Sequence, residues 1–184
     1  MKKQEKVDLI KSCIGTPAFL RMYFRYDENY WYYYPHAVSD TLVLGQEEDD
    51  FLLNGYQVRK LSHLQKVEVK NDLCIEINQW CGVTAQLADP GVAIGSWYEL
   101  FSSLADREGF VIVQNDFDDR FAIGLIREVR KSRVSLLQFD ADGVWDDDLT
   151  DIPYSAITCV KWNTRYDEAW YRYLREHGGL PDKR

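Results

Sequence analysis

The chain has no run of about twenty apolar residues, so no helix is long and greasy enough to cross a bilayer. Little resembles a secretory leader either. Met1-Lys2-Lys3 fits one for three residues, an acid follows at Glu5, and Val7–Ile14 is interrupted by Asp8, Lys11 and Ser12. The four cysteines, Cys13, Cys74, Cys81 and Cys159, form no Cys-x-x-Cys pair. Three of them sit on apolar stripes or strands, where a free thiol acts as a small hydrophobe. A reduced, cytoplasmic protein is expected. Histidine is scarce: His36, His63 and His177 show no ligand spacing. No glycine-rich loop ends in Lys-Ser/Thr, which excludes a P-loop. In the acidic run Asp140–Asp148, Val144 and Trp145 stand where a calcium loop needs an oxygen ligand and a glycine. The run therefore reads as a solvated loop. No catalytic residue, metal site or cofactor is expected, and the chain is read as a non-enzyme.

Positive charge is also short. Net charge is −8, and residues 1–93 carry 10 Lys/Arg against 13 Asp/Glu while residues 94–184 carry 12 against 17. That balance opposes general nucleic-acid binding, which needs cations to displace phosphate counterions. It equally opposes docking on an anionic membrane surface.

Aromatic residues, in contrast, are plentiful: 12 Tyr, 8 Phe and 6 Trp make up 14% of 184 residues. Large rings suit small modules with limited core volume, each burying about 150–250 Å². The chain also reads as written twice. Leu9-Ile10-Lys11-Ser12 aligns with Leu100-Phe101-Ser102-Ser103 at an offset of 91, and Phe19 with Phe110. At 92, Leu42-Val43-Leu44 falls on Val134-Ser135-Leu136; at 93, Val67, Val69, Leu73, Ile77 and Trp80 fall on Val160, Trp162, Tyr166, Trp170 and Tyr173.

The periodicity predicts one supersecondary plan used twice. In the first unit Val7, Ile10, Cys13 and Ile14 make one helical face. Leu20, Met22 and Phe24 alternate as a strand, followed by strands over 30–37, 41–45, 56–60 and 65–69. Glu47-Glu48-Asp49-Asp50 reads as an acidic loop and 61–64 as a helical turn, before a closing stripe of Leu73, Ile77, Trp80 and Cys81. In the second unit the opening stripe is Tyr98, Phe101, Leu104 and Ala105. Its strands are expected over 110–114, 120–129, 133–139, 144–146 and 157–162, with 151–154 as the helical turn. Thr164 and Asp167 resemble a capping pair, ahead of a stripe of Tyr166, Ala169, Trp170, Tyr173 and Leu174.

The expected architecture is mainly β with flanking helices (α+β): two tandem five-stranded small barrels from an internal duplication. The boundaries are 1–82, a linker 83–95, 96–178 and a C-terminal tail 179–184. This order resembles the SH3-like and Sm-like barrel group, and in particular small bacterial proteins of that shape. The resemblance is architectural. Sm families carry an Asp/Asn pair and an Arg-Gly step where this chain has Val38-Ser39-Asp40-Thr41 and Tyr56-Gln57-Val58-Arg59, so no RNA-base pocket is implied at any position.

Two surfaces stand out. Tyr30-Trp31-Tyr32-Tyr33-Tyr34 lies on one strand, whose alternation forbids all five rings from sharing one core. At least two rings are expected outside the first barrel, packed on a terminal helix or the second barrel, or else exposed as a platform for a protein partner or for stacking bases. Trp31 and Tyr33, with Glu47, Glu48, Asp49 and Asp50, are the candidate contacts for a protein partner. Such a chain fits an adaptor of regulatory or immunity type, its acids steering onto a basic partner. The alternative is an RNA- or DNA-associated barrel pair using Arg127, Arg130, Lys131 and Arg133, a basic cluster at one hairpin.

Overall fold

Alternation sets the first strand. Leu20, Met22 and Phe24 are buried while Arg21 and Tyr23 are only half-buried, over β1 (Leu20–Phe24). A computed structural model describes residues 1–181 and divides the chain into two compact units, 1–95 and 96–184. The last three residues of the expected tail lie outside the described residues. Among the described residues the fold is mainly β, with ten strands paired antiparallel and four helices, an α+β composition. Among the described residues no helix is long and apolar enough to span a membrane.

Unit 1 opens with α1 (Lys3–Cys13), which buries Val7, Ile10 and Cys13. After β1 come β2 (Tyr30–Val38), β3 (Leu42–Asp49) and β4 (Leu52–Lys60), then a 3-10 turn Leu61–His63, β5 (Leu64–Val69) and α2 (Leu73–Trp80). The strands lie in the order β5-β1-β2-β3-β4, so within the unit the ladder is open. Residues 84–86 of the expected linker form a further 3-10 turn.

Unit 2 has the same order of elements: α3 (Trp97–Leu104), β6 (Val111–Asn115), β7 (Arg120–Val129), β8 (Arg133–Gln138), β9 (Thr150–Pro153), a 3-10 turn Tyr154–Ala156, β10 (Cys159–Trp162) and α4 (Arg165–Glu176). Its strands lie in the order β10-β6-β7-β8-β9. The registers also recur. Leu20 faces Tyr33, and 91 residues on Val111 faces Gly124. Met22 faces Val67, and Val113 faces Val160. Val43 faces Arg59, and Val134 faces Ile152. Even the irregularity returns: β2 bulges at His36 and β7 at Arg127. At the next hairpin Ser39 N–H donates to Leu42 O at 2.8 Å, and Arg130 N–H to Arg133 O at 2.9 Å.

Several expectations need correction. The offset at Leu42-Val43-Leu44 is 91, because register matches Leu42 to Arg133 rather than to Val134. Seven successive buried residues in β3 hid the phase there. The fourth strand of unit 2 is 150–153; Trp145 makes only an isolated bridge to Phe139. Asn54-Gly55 does not precede β4 but sits inside it, where Gly55 at φ 72 accommodates a bulge opposite Glu47. The opening stripe of unit 2 is shifted by one residue, to Trp97, Leu100, Phe101 and Leu104.

Both closing helices are rotated from their expected faces. In α2, Leu73 and Trp80 are 65% and 87% exposed, while Asn78 is fully buried and Cys74 and Ile75 pack inward. In α4, Tyr166 and Tyr173 are exposed, and Asp167, Trp170, Tyr171 and Leu174 face the sheet. The cap fixes this rotation. Thr164 Oγ1 accepts Asp167 N–H at 3.2 Å, and Asp167 accepts Thr164 N–H at 2.8 Å, which turns Asp167 inward. Aromatic residues on both sides of the helix make the apolar stripe too wide to show its centre.

The cores sit on different faces of the strands. In unit 1, Val7, Ile10 and Cys13 of α1 pack on Leu20, Met22, Phe24, Tyr33, Val43 and Val67. Phe19 and Tyr34 instead meet Val83, Cys74, Ile75 and Leu87. In unit 2, Phe110, Ile112, Ile123 and Phe139 pack beneath Leu174, joined by Trp145, Trp170 and Tyr171.

Candidate functional site

The five-ring run of β2 is divided by its pleat, as alternation demands. Tyr33 turns toward α1, buried, its hydroxyl donating to Gln57 Oε1 at 2.7 Å. Tyr34 turns the other way and stacks on Phe19 at 5.2 Å between ring centres. Tyr30 and Trp31, at the strand's start, each keep 38% exposure.

Beside them β3 runs further than expected, and this decides which acids reach the surface. Glu47 and Glu48 are strand residues, 2% and 7% exposed, not parts of a solvated loop. Glu47 Oε1 accepts the Asn54 side-chain N–H at 2.9 Å. The turn to β4 is only Asp50-Phe51, and both residues hold positive φ, 51° and 64°. A two-residue hairpin turn of this kind favours Asn-Gly. Glu48 supports it by accepting Phe51 N–H at 2.7 Å. Burial raises the pKa of Glu48, opposed by that N–H and by the Asn78 side chain.

Together these residues bound a cleft of about 260 Å³, lined by Phe19, Tyr30, Trp31, Tyr32, Glu48–Phe51, Lys70 and Cys74. One wall is acidic and the other aromatic. Lys70 is tied down by Asp72 at 2.6 Å, the contact that most raises its pKa, and donates to Tyr32 Oη at 3.1 Å. Desolvation alone would raise the Tyr32 phenol; hydrogen bonds with Tyr30, Lys70 and Arg21 outweigh it and lower it. Burial, then the Asp72 carboxylate, pushes the Cys74 thiol up, which disfavours the thiolate. The cleft thus brings together Trp31, Glu48, Asp49 and Asp50. Tyr33 and Glu47 lie inside the unit, away from solvent.

The basic cluster surrounds the β7–β8 hairpin. Arg130 pairs with Glu128, and Arg133 Nε lies 2.9 Å from Asp151 Oδ2. Lys131 is exposed, and Arg127 is half-buried at the bulge. Arg130 and Arg133 therefore already face a carboxylate. Among the described residues no three His, Cys, Asp or Glu side chains converge as metal ligands.

Sequence reasoning missed one more feature. The β1–β2 hairpin reads Tyr26-Asp27-Glu28-Asn29-Tyr30, and 91 residues on the β6–β7 hairpin reads Phe117-Asp118-Asp119-Arg120-Phe121. The shared pattern, aromatic–acid–acid–x–aromatic, was available at the offset already established. Its two settings differ. In unit 1 the Arg59 guanidinium donates to both Asp27 oxygens at 2.7 and 2.8 Å and lies 4.2 Å over the Phe24 ring. Arg21 lies 4.4 Å over Tyr30, and Tyr26 meets His63 edge-on at 5.2 Å. In unit 2 the register puts Ile112 in place of Arg21 and Ile152 in place of Arg59. Ile152 and Ala156 there line a cleft of about 450 Å³ with Asp119, Arg120 and Phe121.

Comparison with protein-family models, curated proteins and solved structures finds no match. The functional reading therefore rests on these clefts and hairpins alone.

Proposed function

We propose that this chain is a non-enzymatic cytoplasmic interaction protein that binds a basic segment of a protein partner through the cleft at Trp31. The supporting observation is the meeting of half-exposed Tyr30 and Trp31 with Glu48, Asp49 and Asp50 across one opening. A cationic side chain entering there gains carboxylate attraction and an aromatic surface at once. A regulatory or immunity-type adaptor is the role that suits such a surface. The two units are read as copies of one SH3-like or Sm-like small-barrel plan. Their common strand order, registers and bulge positions support that reading.

The test titrates an array of Lys/Arg-rich peptides against the full chain at low and physiological salt. Binding is expected in the wild type and in Arg130→Ala/Lys131→Ala, and is lost in Trp31→Ala and in Asp49→Lys/Asp50→Lys. Equal binding by all four proteins sinks the proposal. If mixed RNA and DNA bind instead, with a salt slope that Arg130→Ala/Lys131→Ala flattens, the nucleic-acid reading replaces it.

A further inference from the structure

The two hairpins form an internal control. Each places two acids between two aromatic residues at the same register: Tyr23 faces Tyr30, and Gln114 faces Phe121. In unit 1 the chain supplies the hairpin's ligand itself. The Asp27–Arg59 pair is bidentate and its side chains are only 11% and 7% exposed, the geometry in which Arg recognises a carboxylate most strongly.

In unit 2 the receiving half remains and the arginine is gone. Asp118 accepts the Asn115 side-chain N–H at 2.9 Å; among the described residues no basic side chain lies within ion-pairing distance of Asp118 or Asp119. Phe117 and Phe121 are 71% and 51% exposed. The place that Arg59 fills in unit 1 belongs to Ile152, and the place of His63, the last residue of the 3-10 turn after the fourth strand, to Ala156. Both shorter side chains line the 450 Å³ cleft, which Phe121 and Asp119 border. An arginine-sized volume therefore stands beside Asp119, the sequence neighbour of Asp118; the Phe121 ring at its border meets Tyr166 edge-on, 6.1 Å between ring centres. Arg120 and Asp151 also line the cleft, and Asp151 is engaged by Arg133 and Ser135.

We infer that the Phe117–Phe121 hairpin and its cleft form a docking site for an arginine-bearing segment of a protein partner. The guanidinium takes the position that Arg59 occupies in unit 1, pairing with Asp118, the counterpart of Asp27, with Asp119 beside it. This site is separate from the Trp31 cleft and does not depend on the function proposed for it.

The test follows amide resonances of the full-length protein during titration with an acetylated, amidated Gly-Arg-Gly peptide, with Gly-citrulline-Gly as the uncharged isostere. Shifts are expected at Asp118, Asp119, Phe121 and Ile152 with the arginine peptide only. Asp118→Asn and Asp119→Asn, both at exposed positions, should each weaken binding on the order of tenfold, as loss of a charge-assisted hydrogen bond does. Ile152→Arg should refill the cleft from within and abolish peptide shifts. The inference is overturned if the citrulline peptide binds equally. It also fails if neither Asp118→Asn nor Asp119→Asn changes the titration, or if the shifts fall on Tyr26–Tyr30 instead. Should Ile152→Arg not fold, the two Asp→Asn variants decide the matter.

Discussion

Unit 1 and unit 2 share a ladder but are filled in opposite places. Where unit 1 leaves a cleft beside Glu48, the same register in unit 2 holds Phe139, which packs against Phe110, Trp145 and Trp170 at 5.0–5.2 Å between ring centres. Where unit 2 leaves a cleft beside Ile152, unit 1 holds Arg59 clamped to Asp27. The same exchange occurs across the second and third strands. Tyr33 in β2 lies over Gly45 in β3, whereas unit 2 has Gly124 in β7 and Leu136 in β8. Backbone hydrogen bonding fixes where strands lie. Which openings persist is decided by a few side-chain volumes, and those are free to differ between units.

The largest expected effect breaks the comparison at its charged point. Arg59→Ala leaves the buried Asp27 carboxylate unpaired and should cost about 3–5 kcal/mol in chemical denaturation. Ile152→Ala, at the matching position of unit 2, should cost well under half of that, because Ile152 is only partly buried. The double variant Asp27→Asn/Arg59→Ile rebuilds the local apolar setting of unit 2 and should recover most of the loss. Equal losses for Arg59→Ala and Ile152→Ala would remove the distinction between the hairpins.

A second difference appears in pH dependence. Burial lifts Asp167 from its ordinary 3.8 to about 6, against hydrogen bonds from Thr164. The folded state therefore keeps this proton after the unfolded chain has released it. Stability should fall as pH rises from about 4 to 6, by as much as ~3 kcal/mol for a shift of this size. Asp167→Asn keeps a capping oxygen and should flatten that slope, as urea midpoints at pH 4, 5, 6 and 7 will show. At an offset of 93 Asp167 falls on Cys74 of α2, which carries no carboxylate there. An unchanged slope in Asp167→Asn rules out the buried acid as its source.

Glycine substitutions sharpen the exchange of volumes. A Cβ on Gly124 would come within 2.0 Å of the Leu137 carbonyl oxygen, an immovable backbone atom. Gly124→Ala should cost about 3 kcal/mol or more. On Gly45 a Cβ meets Tyr33 Cβ at 2.9 Å, and Gly45→Ala should cost about 1–2 kcal/mol as that ring shifts. Thermal melting of the two variants ranks them, and the reverse order would refute this account. The smallest effect is expected at Trp80: at 87% exposure, Trp80→Ser should change stability by no more than about 0.5 kcal/mol.

Strands were legible wherever one face was polar. Leu20, Met22 and Phe24 announce β1 because Arg21 and Tyr23 separate them. The capping pair of α4 was equally plain, since Thr164 and Asp167 act over three residues and need no tertiary partner. Strand β3 was cut short because Gln46, Glu47 and Glu48 are buried there, and a run of polar residues carries no sign of its own burial. The closing helices misled because aromatics lie on both their faces: Trp80 and Tyr173 look like core by type, yet neighbours place Asn78 and Asp167 inward. For the Trp31 cleft, the acids and the ring were visible in sequence. Which of them reach solvent depends on the Asp50-Phe51 turn, set by a hydrogen bond from Phe51 to Glu48. The twin hairpins were readable at an offset of 91, but only Arg59, some thirty residues away, shows what the first of them holds.

By itself the sequence determined the local features of this protein: the buried face of α1, the alternation of β1 and the capping pair of α4. Each of these follows from neighbours within a few residues, through periodicity, capping and turn chemistry. Tertiary structure alone decided which acids are buried, which rings are exposed and which of two matching hairpins holds its own arginine. Those outcomes turn on side chains brought together from distant parts of the chain, where a change of a few atoms fills or opens a cleft without moving a strand.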